Sequence, residues 1–428
     1  MSRPEVPPPA AVPAVQDTDV GGIRVVSEPF PGFHSVALGV LFNIGSRDEP
    51  AAEQGLTHLV EHMLFKGTQT KSARQISQTI EAIGGVINGF THKEMTGIFV
   101  RFLGEHFDLV SRLVRELLNE SRFAAEELEK EREVIFEEIK SAHEDPDDEV
   151  VDLLFRAAYG DQPLASSISG ELATVGGITD RRVRQYFAES YARPRTVIAA
   201  AGDIDHRRLE SQLAVPLRLA TGSGANGRHP PELLKPGIRL QERHEISQVF
   251  VCIAKPCIPY PDPGRHALGV VSSAFGGASS SRLFQRLREE EGLVYSVYAF
   301  TELFSDAGLF GVYLITDRKK LPRALAAVRE EWNRLVRDNL EPEELATAKS
   351  FTKGTTLLSL ENLSSRMMRM AHSRLLLNRV VPVEEKMARL DALTLADTAG
   401  LLQQVGELDQ PYVSAVGPVT EAELKEML

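Results

Sequence analysis

Three residues on one short stretch have the types and spacing of a metal site. In Gly55-Leu56-Thr57-His58-Leu59-Val60-Glu61-His62-Met63-Leu64-Phe65-Lys66-Gly67, the positions Leu56, Leu59, Val60, Met63 and Leu64 share one side of a predicted helix. His58, Glu61 and His62 fall together on the opposite side. Residues at i and i+4 are surface neighbours on a helix, so two imidazoles one turn apart can grip one cation. The carboxylate between them then faces water held at that cation. The rival reading is a solvated face that carries two histidines. The placement of Glu61 between them, and the acids of a second helix, favour the metal.

That second helix is predicted over Ala124–His143. Leu128, Arg132, Ile135, Ile139 and Ala142 define its inward arc, with Val134 on one flank. Most of its acids fall on the far side, but Glu131 and Glu138 lie inside the arc, two turns apart on one line. A carboxylate on an apolar face needs a partner, because an unpaired buried charge is costly. A catalytic zinc keeps three protein ligands and one open position. Glu138 is expected as the third ligand, and on geometry alone Glu131 fits almost as well. The acid not on the metal would orient a histidine or a substrate group. Zinc lowers the pKa of its water from about 15.7 to about 7 and polarises a carbonyl. With Glu61 taking the proton and passing it to a leaving amine, the set suffices for amide hydrolysis without a serine or cysteine nucleophile.

The surrounding elements read as α+β. Gly22–Glu28, Ser35–Asn43, Val86–Phe90, Thr96–Phe102 and Thr196–Gly202 have strand character, and Ser72–Ile83, Glu105–Glu120, Asp148–Ala158 and Asp180–Tyr191 have helical character. Asp48 is the expected cap of the turn that leads towards the metal helix. Val86–Phe90 follows a Gly-Gly break and has the look of an edge strand. An extended peptide could add to it through backbone hydrogen bonds beside Asn88, Gly89 and Phe90, although an ordinary edge strand reads the same way. A Gly/Pro-rich linker, residues 221–236, separates residues 21–220 from residues 237–428. The second half repeats the element order of the first, its first strand expected at Gln248–Ile253. Tyr412–Gly417 echoes Thr196–Gly202 at an offset of 215 residues, 202 against 417. His266–Phe275 takes the place of the metal helix without its motif, and Pro342–Leu377 reads as one long helical run. The expected fold is two homologous α+β domains, each a mainly antiparallel sheet covered by helices, forming half of a clam-shell chamber.

At 428 residues and a formal net charge of −12, the chain is large enough for two cores and poorly suited to nucleic acid or anionic membrane. It has no apolar run long enough to span a bilayer. Residues 1–20 lack both the basic start and the apolar core of a secretory signal and carry Glu5, Asp17 and Asp19. A disordered tail and a cytoplasmic protein are expected. Cys252 and Cys257 match neither a redox pair nor a zinc knuckle. Phe275-Gly-Gly-Ala-Ser lacks the Gly-Lys-Ser/Thr ending of a phosphate loop. By residue type alone, Arg288 and Tyr295 read as a solvated helix residue and a strand tyrosine.

His58-Leu-Val-Glu-His62, Glu131-Arg-Glu-Val-Ile-Phe-Glu-Glu138 and the segment from Arg288 to Tyr295 together resemble the pitrilysin family of inverted-zincin metallopeptidases. That family includes the mitochondrial processing peptidases, and the resemblance covers nearly the whole chain after the tail. It implies one zinc per chain held by His58, His62 and Glu138, with Glu61 as base and Glu131 as auxiliary acid. It also implies that Arg288 and Tyr295 reach the substrate or the developing oxyanion. The length resembles half-size, bacterial processing-peptidase-like members, which pair as homodimers around peptide or unfolded, presequence-like substrates. Gly89 departs from the alanine frequent in the family's substrate strand. The resemblance puts half of the site on each side of the linker, so closure of the two halves is expected during turnover. The rival readings are a noncatalytic assembly subunit of the same fold and a catalytic half that needs a silent partner chain.

Overall fold

The computed structural model describes residues 14–30, 32–222 and 227–427. The first sheet contains β1 (Gln16–Val20), β2 (Ile23–Pro29), β3 (Ser35–Phe42), β4 (Val86–Thr91), β5 (Thr96–Leu103) and β6 (Thr196–Gly202). Their order across the sheet is β1-β2-β6-β3-β5-β4. All neighbours are antiparallel except β2 and β6. The second sheet contains β7 (Ile238–Glu242), β8 (Gln248–Pro256), β9 (Val294–Leu303), β10 (Gly308–Asp317) and β11 (Tyr412–Gly417), in the order β7-β11-β8-β10-β9. Its one parallel pair, β7 and β11, matches β2 and β6. The repeat in element order is therefore a repeat in topology, with β9 the counterpart of β4 at the sheet edge.

Three expectations are corrected. The tail was expected to run to Val20, yet Gln16–Val20 is an antiparallel edge strand on β2. It is polar because one side faces water, and Thr18 Oγ1 lies 2.9 Å from His206 Nε2 and donates to Glu210 at 2.6 Å. The part of the expected tail over residues 1–13 lies outside the described residues. The second half opens with β7 rather than at Gln248. Pro342–Leu377 is two helices, Pro342–Ser359 and Leu363–Leu377, the second capped by the Asn362 side chain.

Both sheets are buried on both faces, and each half supplies a cover for the other. On the first sheet, Val36, Leu38, Val40 and Phe42 of β3 face the helices of their own half. Ala37 and Leu41, with Val197, Ala199 and Ala201 of β6, face Leu363, Met367, Met370 and Ala371 of the second half. Gly39 has no side chain because Met367 enters there; a Cβ would lie 2.6 Å from its Sδ. On the second sheet, Phe250, Cys252, Tyr313 and Tyr412 are covered by Val150, Leu154, Phe155 and Ala158 of the helix Pro146–Tyr159 from the first half. Polar contacts reinforce the seam. Arg47 donates to Asp306 at 2.6 and 2.9 Å, and Ser305 donates to Glu94 from its N–H at 2.8 Å and its hydroxyl at 2.7 Å. The expected hinge between the halves gives way to this reciprocal exchange of helices: residues 221–236 connect two units that already interlock.

Candidate metal centre

Helix α1 (Leu56–Leu64) buries Leu56, Leu59, Val60, Met63 and Leu64 in the first core, as its periodicity predicts. Asp48 closes the preceding turn, accepting from Gly45 N–H and from Arg228, and does not reach the start of α1. Glu49 caps it instead. Buried Glu49 accepts from Gly55 N–H at 2.7 Å and Thr57 N–H at 2.5 Å, two of the donors that a helix start leaves unpaired. Burial pushes its carboxyl up to about 8 while those two donors pull the other way. Gly55 stands at the left-handed φ of +91°, and a Cβ there would lie 2.6 Å from Ser169 O.

The long helix α2, over Ala125–Glu144, packs across α1 and buries Leu128, Glu131, Ile135 and Ile139. Arg132, expected in the inward arc, turns aside to donate to Ile178 O at 2.7 Å, and Val134 is exposed. The two acids left open by spacing differ sharply here. Glu131 is buried, accepting from His62 Nδ1 at 3.0 Å and pairing with Lys66 Nζ at 2.7 Å. Glu138 is more open, with its Oε2 at 3.8 Å from His58 Nε2 and 3.6 Å from His62 Nε2. One ligand atom from each of His58, His62 and Glu138 lies within 4.8 Å of the others. The two imidazole-to-carboxylate distances are near the roughly 3.3 Å edge of a tetrahedron with corners about 2.0–2.1 Å from its centre. With Nδ1–H of His62 given to Glu131, its Nε2 lone pair points to the same spot. The residues fit a zinc ion.

Glu61 sits beside this cluster and below strand β4. Its Oε2 accepts from Thr91 Oγ1 at 2.6 Å, and burial raises its pKa. Burial, with the neighbouring His62, lowers His58 to about 4, which favours the neutral, ligating imidazole. β4 lies at the edge of its sheet. Asn88 is exposed on it, and Phe90, on the same face of the strand, packs against Phe99, ring centroids 6.4 Å apart. Gly89 faces Glu61: a Cβ there would lie 2.5 Å from Glu61 Cγ. A recess of about 340 Å³ between Phe65, Ile76, Ile87, Lys66 and Glu131 opens next to Glu61.

Arg288 and Tyr295 are not brought to this cluster within the chain. Arg288 donates to the Tyr295 carbonyl, and the Tyr295 hydroxyl donates to Asp317 at 3.1 Å. Tyr295 is 49% exposed at the start of β9, the strand that corresponds to β4 on the second sheet. Sequence reasoning missed Glu49 and Lys66. Lys66 stands four residues beyond His62, just past the end of α1, a spacing that could have flagged it; nothing local pointed Glu49 towards a helix start six residues on.

Two α+β halves of equivalent topology, the first bearing an inverted-zincin helix beside an edge strand, define the class of protein. Residues 24–171 match the insulinase (peptidase family M16) domain and residues 177–351 the M16 inactive domain. A zinc protease of Streptomyces coelicolor is 34% identical over 95% of this chain and 90% of its own. The zinc protease YmxG of Bacillus subtilis is 35% identical over 90% of this chain and 93% of its own. In three dimensions, the peptidase M16 inactive domain from Pseudomonas fluorescens superposes with a TM-score of 0.89 at 22% identity, over 95% of this chain and 98% of that one. The chain belongs to the M16 peptidase family, whose half-size members it matches in length. Among the described residues no helix is long and apolar enough to cross a membrane.

Proposed function

We propose that the chain is a zinc endopeptidase that cuts peptides or unfolded, presequence-like segments, with one zinc held by His58, His62 and Glu138. The observation that carries this reading is the convergence of three ligand atoms within 4.8 Å beside Glu61 and an edge strand. Bound zinc would act as a Lewis acid on water and on the scissile carbonyl. Glu61 takes the proton of the attacking water and delivers it to the leaving nitrogen. Its burial raises its basicity, and the Thr91 hydroxyl fixes its orientation. Glu131 holds His62 in the ligating tautomer and is itself anchored by Lys66. The substrate adds to β4 as an extended strand along Asn88, Gly89 and Phe90, and the missing side chain at Gly89 lets its backbone lie over Glu61. One substrate side chain enters the recess lined by Phe65, Ile76 and Ile87.

Arg288 and Tyr295 complete the site of a second copy, so that the working unit is a homodimer enclosing a chamber. What supports this is the exposure of Tyr295 on the edge strand equivalent to β4 and of Arg288 in the helical turn before it, together with the exchanged helices that hold the two halves of one chain in place. Closure then occurs between chains. Mass spectrometry of products from a random peptide library tests the whole reading. Cleavage should need zinc, stop with a chelator, and vanish in Glu61→Gln while that variant still binds one zinc. Stoichiometric zinc with no cleavage of any peptide would instead support a noncatalytic assembly role.

A further inference from the structure

A cavity of about 680 Å³, across the first sheet from α1, lies where the exchanged helix Leu363–Leu377 meets the helices of the second half. That volume is within the roughly 300–1,000 Å³ typical of small-molecule sites. Hydrocarbon from Phe99, Leu303, Met367, Leu377, Val383 and Leu390 forms much of its wall. Its charged lining has one sign. Arg265, Arg369 and Lys386 face it beside the imidazoles of His266 and His372, and among the described residues no carboxylate does.

The basic groups are poorly satisfied by the protein. Arg265 donates from Nη1 to the backbone oxygens of Asp262 at 3.1 Å, Tyr260 at 3.4 Å and Pro261 at 3.5 Å, and lies over the Tyr260 ring. Among the described residues, the Lys386 ammonium donates to the Thr356 hydroxyl alone, at 3.2 Å. Arg369 donates to Val381 O at 2.6 Å; its Nη2 lies 3.8 Å from Glu28 Oε2, an ion-pair distance too long for a hydrogen bond, while Arg366 bonds the other oxygen of that carboxylate at 3.0 Å. Of the other acids nearby, Glu385 is held by Arg379 and Arg389, and Glu384 also acts on Arg369. Arg369 Nε, His266 Nε2 and Thr352 Oγ1 are buried without a hydrogen-bond partner among the described residues. Burial lowers the pKa of Arg265, Arg369 and Lys386; Arg369 and Arg265 lower Lys386 further, while Glu28 pulls Arg369 and Glu385 pulls Arg265 the other way. Cations and unused donors around an apolar hollow that no carboxylate lines among the described residues suit an anion that enters the hollow itself.

We propose that this cavity binds a small amphipathic anion, a carboxylate or phosphate head on an apolar body, with the head among Arg265, Arg369 and Lys386. The body would lie against the exchanged helix, so occupancy would brace the seam between the halves. The site shares no residue with the metal centre and does not depend on the peptidase reading.

Calorimetric titration of the full-length chain with decanoate, decyl phosphate, decylamine and inorganic phosphate tests it. One equivalent of decanoate or decyl phosphate should bind and raise the melting temperature, and the tighter of the two identifies the head group. Decylamine, and phosphate without its chain, should bind at least about tenfold more weakly. Lys386→Met should weaken anion binding about tenfold or more while raising the melting temperature of the ligand-free chain. Gly269→Met offers a second, independent block: Gly269 lines the cavity, a Cβ there meets nothing within 4 Å, and the change improves helix propensity. The proposal fails if neither anion binds, if decylamine binds as tightly as both, if free phosphate matches decyl phosphate, or if both variants bind like the parent chain.

Discussion

Glu61 and Gly89 show how closely the proposed chemistry depends on single atoms. A Cβ at Gly89 would lie 2.5 Å from Glu61 Cγ and 2.9 Å from its Oε1, so any branched side chain there must push the carboxylate aside. Gly89→Val should lower kcat roughly 10- to 100-fold and leave zinc content intact, because a misplaced base costs rate without touching the ligands. Steady-state kinetics and metal analysis check this, and an unchanged kcat would show that Glu61 is not constrained from above. His266 makes a second prediction. Burial, with Arg265, Arg389 and Lys386 nearby, lowers it to about 4 from 6.5, whereas Glu385 pulls the other way. The unfolded chain therefore takes up that proton first as pH falls, so stability present above 6.5 is lost progressively down to about 4. The loss should reach on the order of 2–3 kcal/mol, and His266→Gln should remove that part of the pH dependence in urea denaturation at pH 7 and pH 4.5. Residue types at helical spacing were enough to pick out His58, Glu61 and His62. They could not separate Glu131 from Glu138, because both lie on one line of α2. The difference comes from what each acid meets, Lys66 and His62 Nδ1 for one and two Nε2 atoms for the other.

At the scale of elements, α1 owes its position to a cap that lies outside it. Glu49→Ala would leave Gly55 N–H and Thr57 N–H buried without acceptors, a loss of about 2–4 kcal/mol. A lower midpoint in denaturant and weaker zinc binding should appear together, since the same helix start carries His58 one turn on. Equal zinc affinity in a destabilised variant would show that the cap serves the fold alone. The apolar period of α1 and the near-continuous apolar run of β3 made those elements legible from sequence. Gln16–Val20 was not, because a polar edge strand has the composition of a tail. The break at Leu360-Glu361-Asn362 was also hidden, since helical character continues on both sides of it and only the Asn362 side chain, bonding Ser364 and Ser365 N–H, marks the restart.

For the whole molecule, the proposed dimer makes a sharp prediction. Glu61→Gln lacks the base, and Tyr295→Phe lacks the hydroxyl offered to the other chain's site; each alone should be inactive or nearly so. In an isologous dimer, a mixed pair contains one site with both groups. Refolding the two variants together in equal amounts should restore about a quarter of parental activity, as half the dimers are mixed and each has one working site. No recovery would place both groups in the service of the same chain. The two-domain repeat was legible from element order, but the exchange of helices was not. Outward positions such as Ala37, Leu41, Ala199 and Met367 announce burial without naming what buries them.

That exchange also sets a timetable for synthesis. Some 160 residues separate the end of β6 at Gly202 from Leu363, an interval of roughly 8–30 s at ribosomal rates of about 5–20 residues per second. Through that interval the first sheet can be complete and the metal helix seated, while Val26, Ala37, Leu41, Val197 and Ala199 await their cover. A translation product that stops before residue 363 would carry every proposed zinc ligand on a sheet with one bare apolar face, and would be far more prone to aggregate than to act.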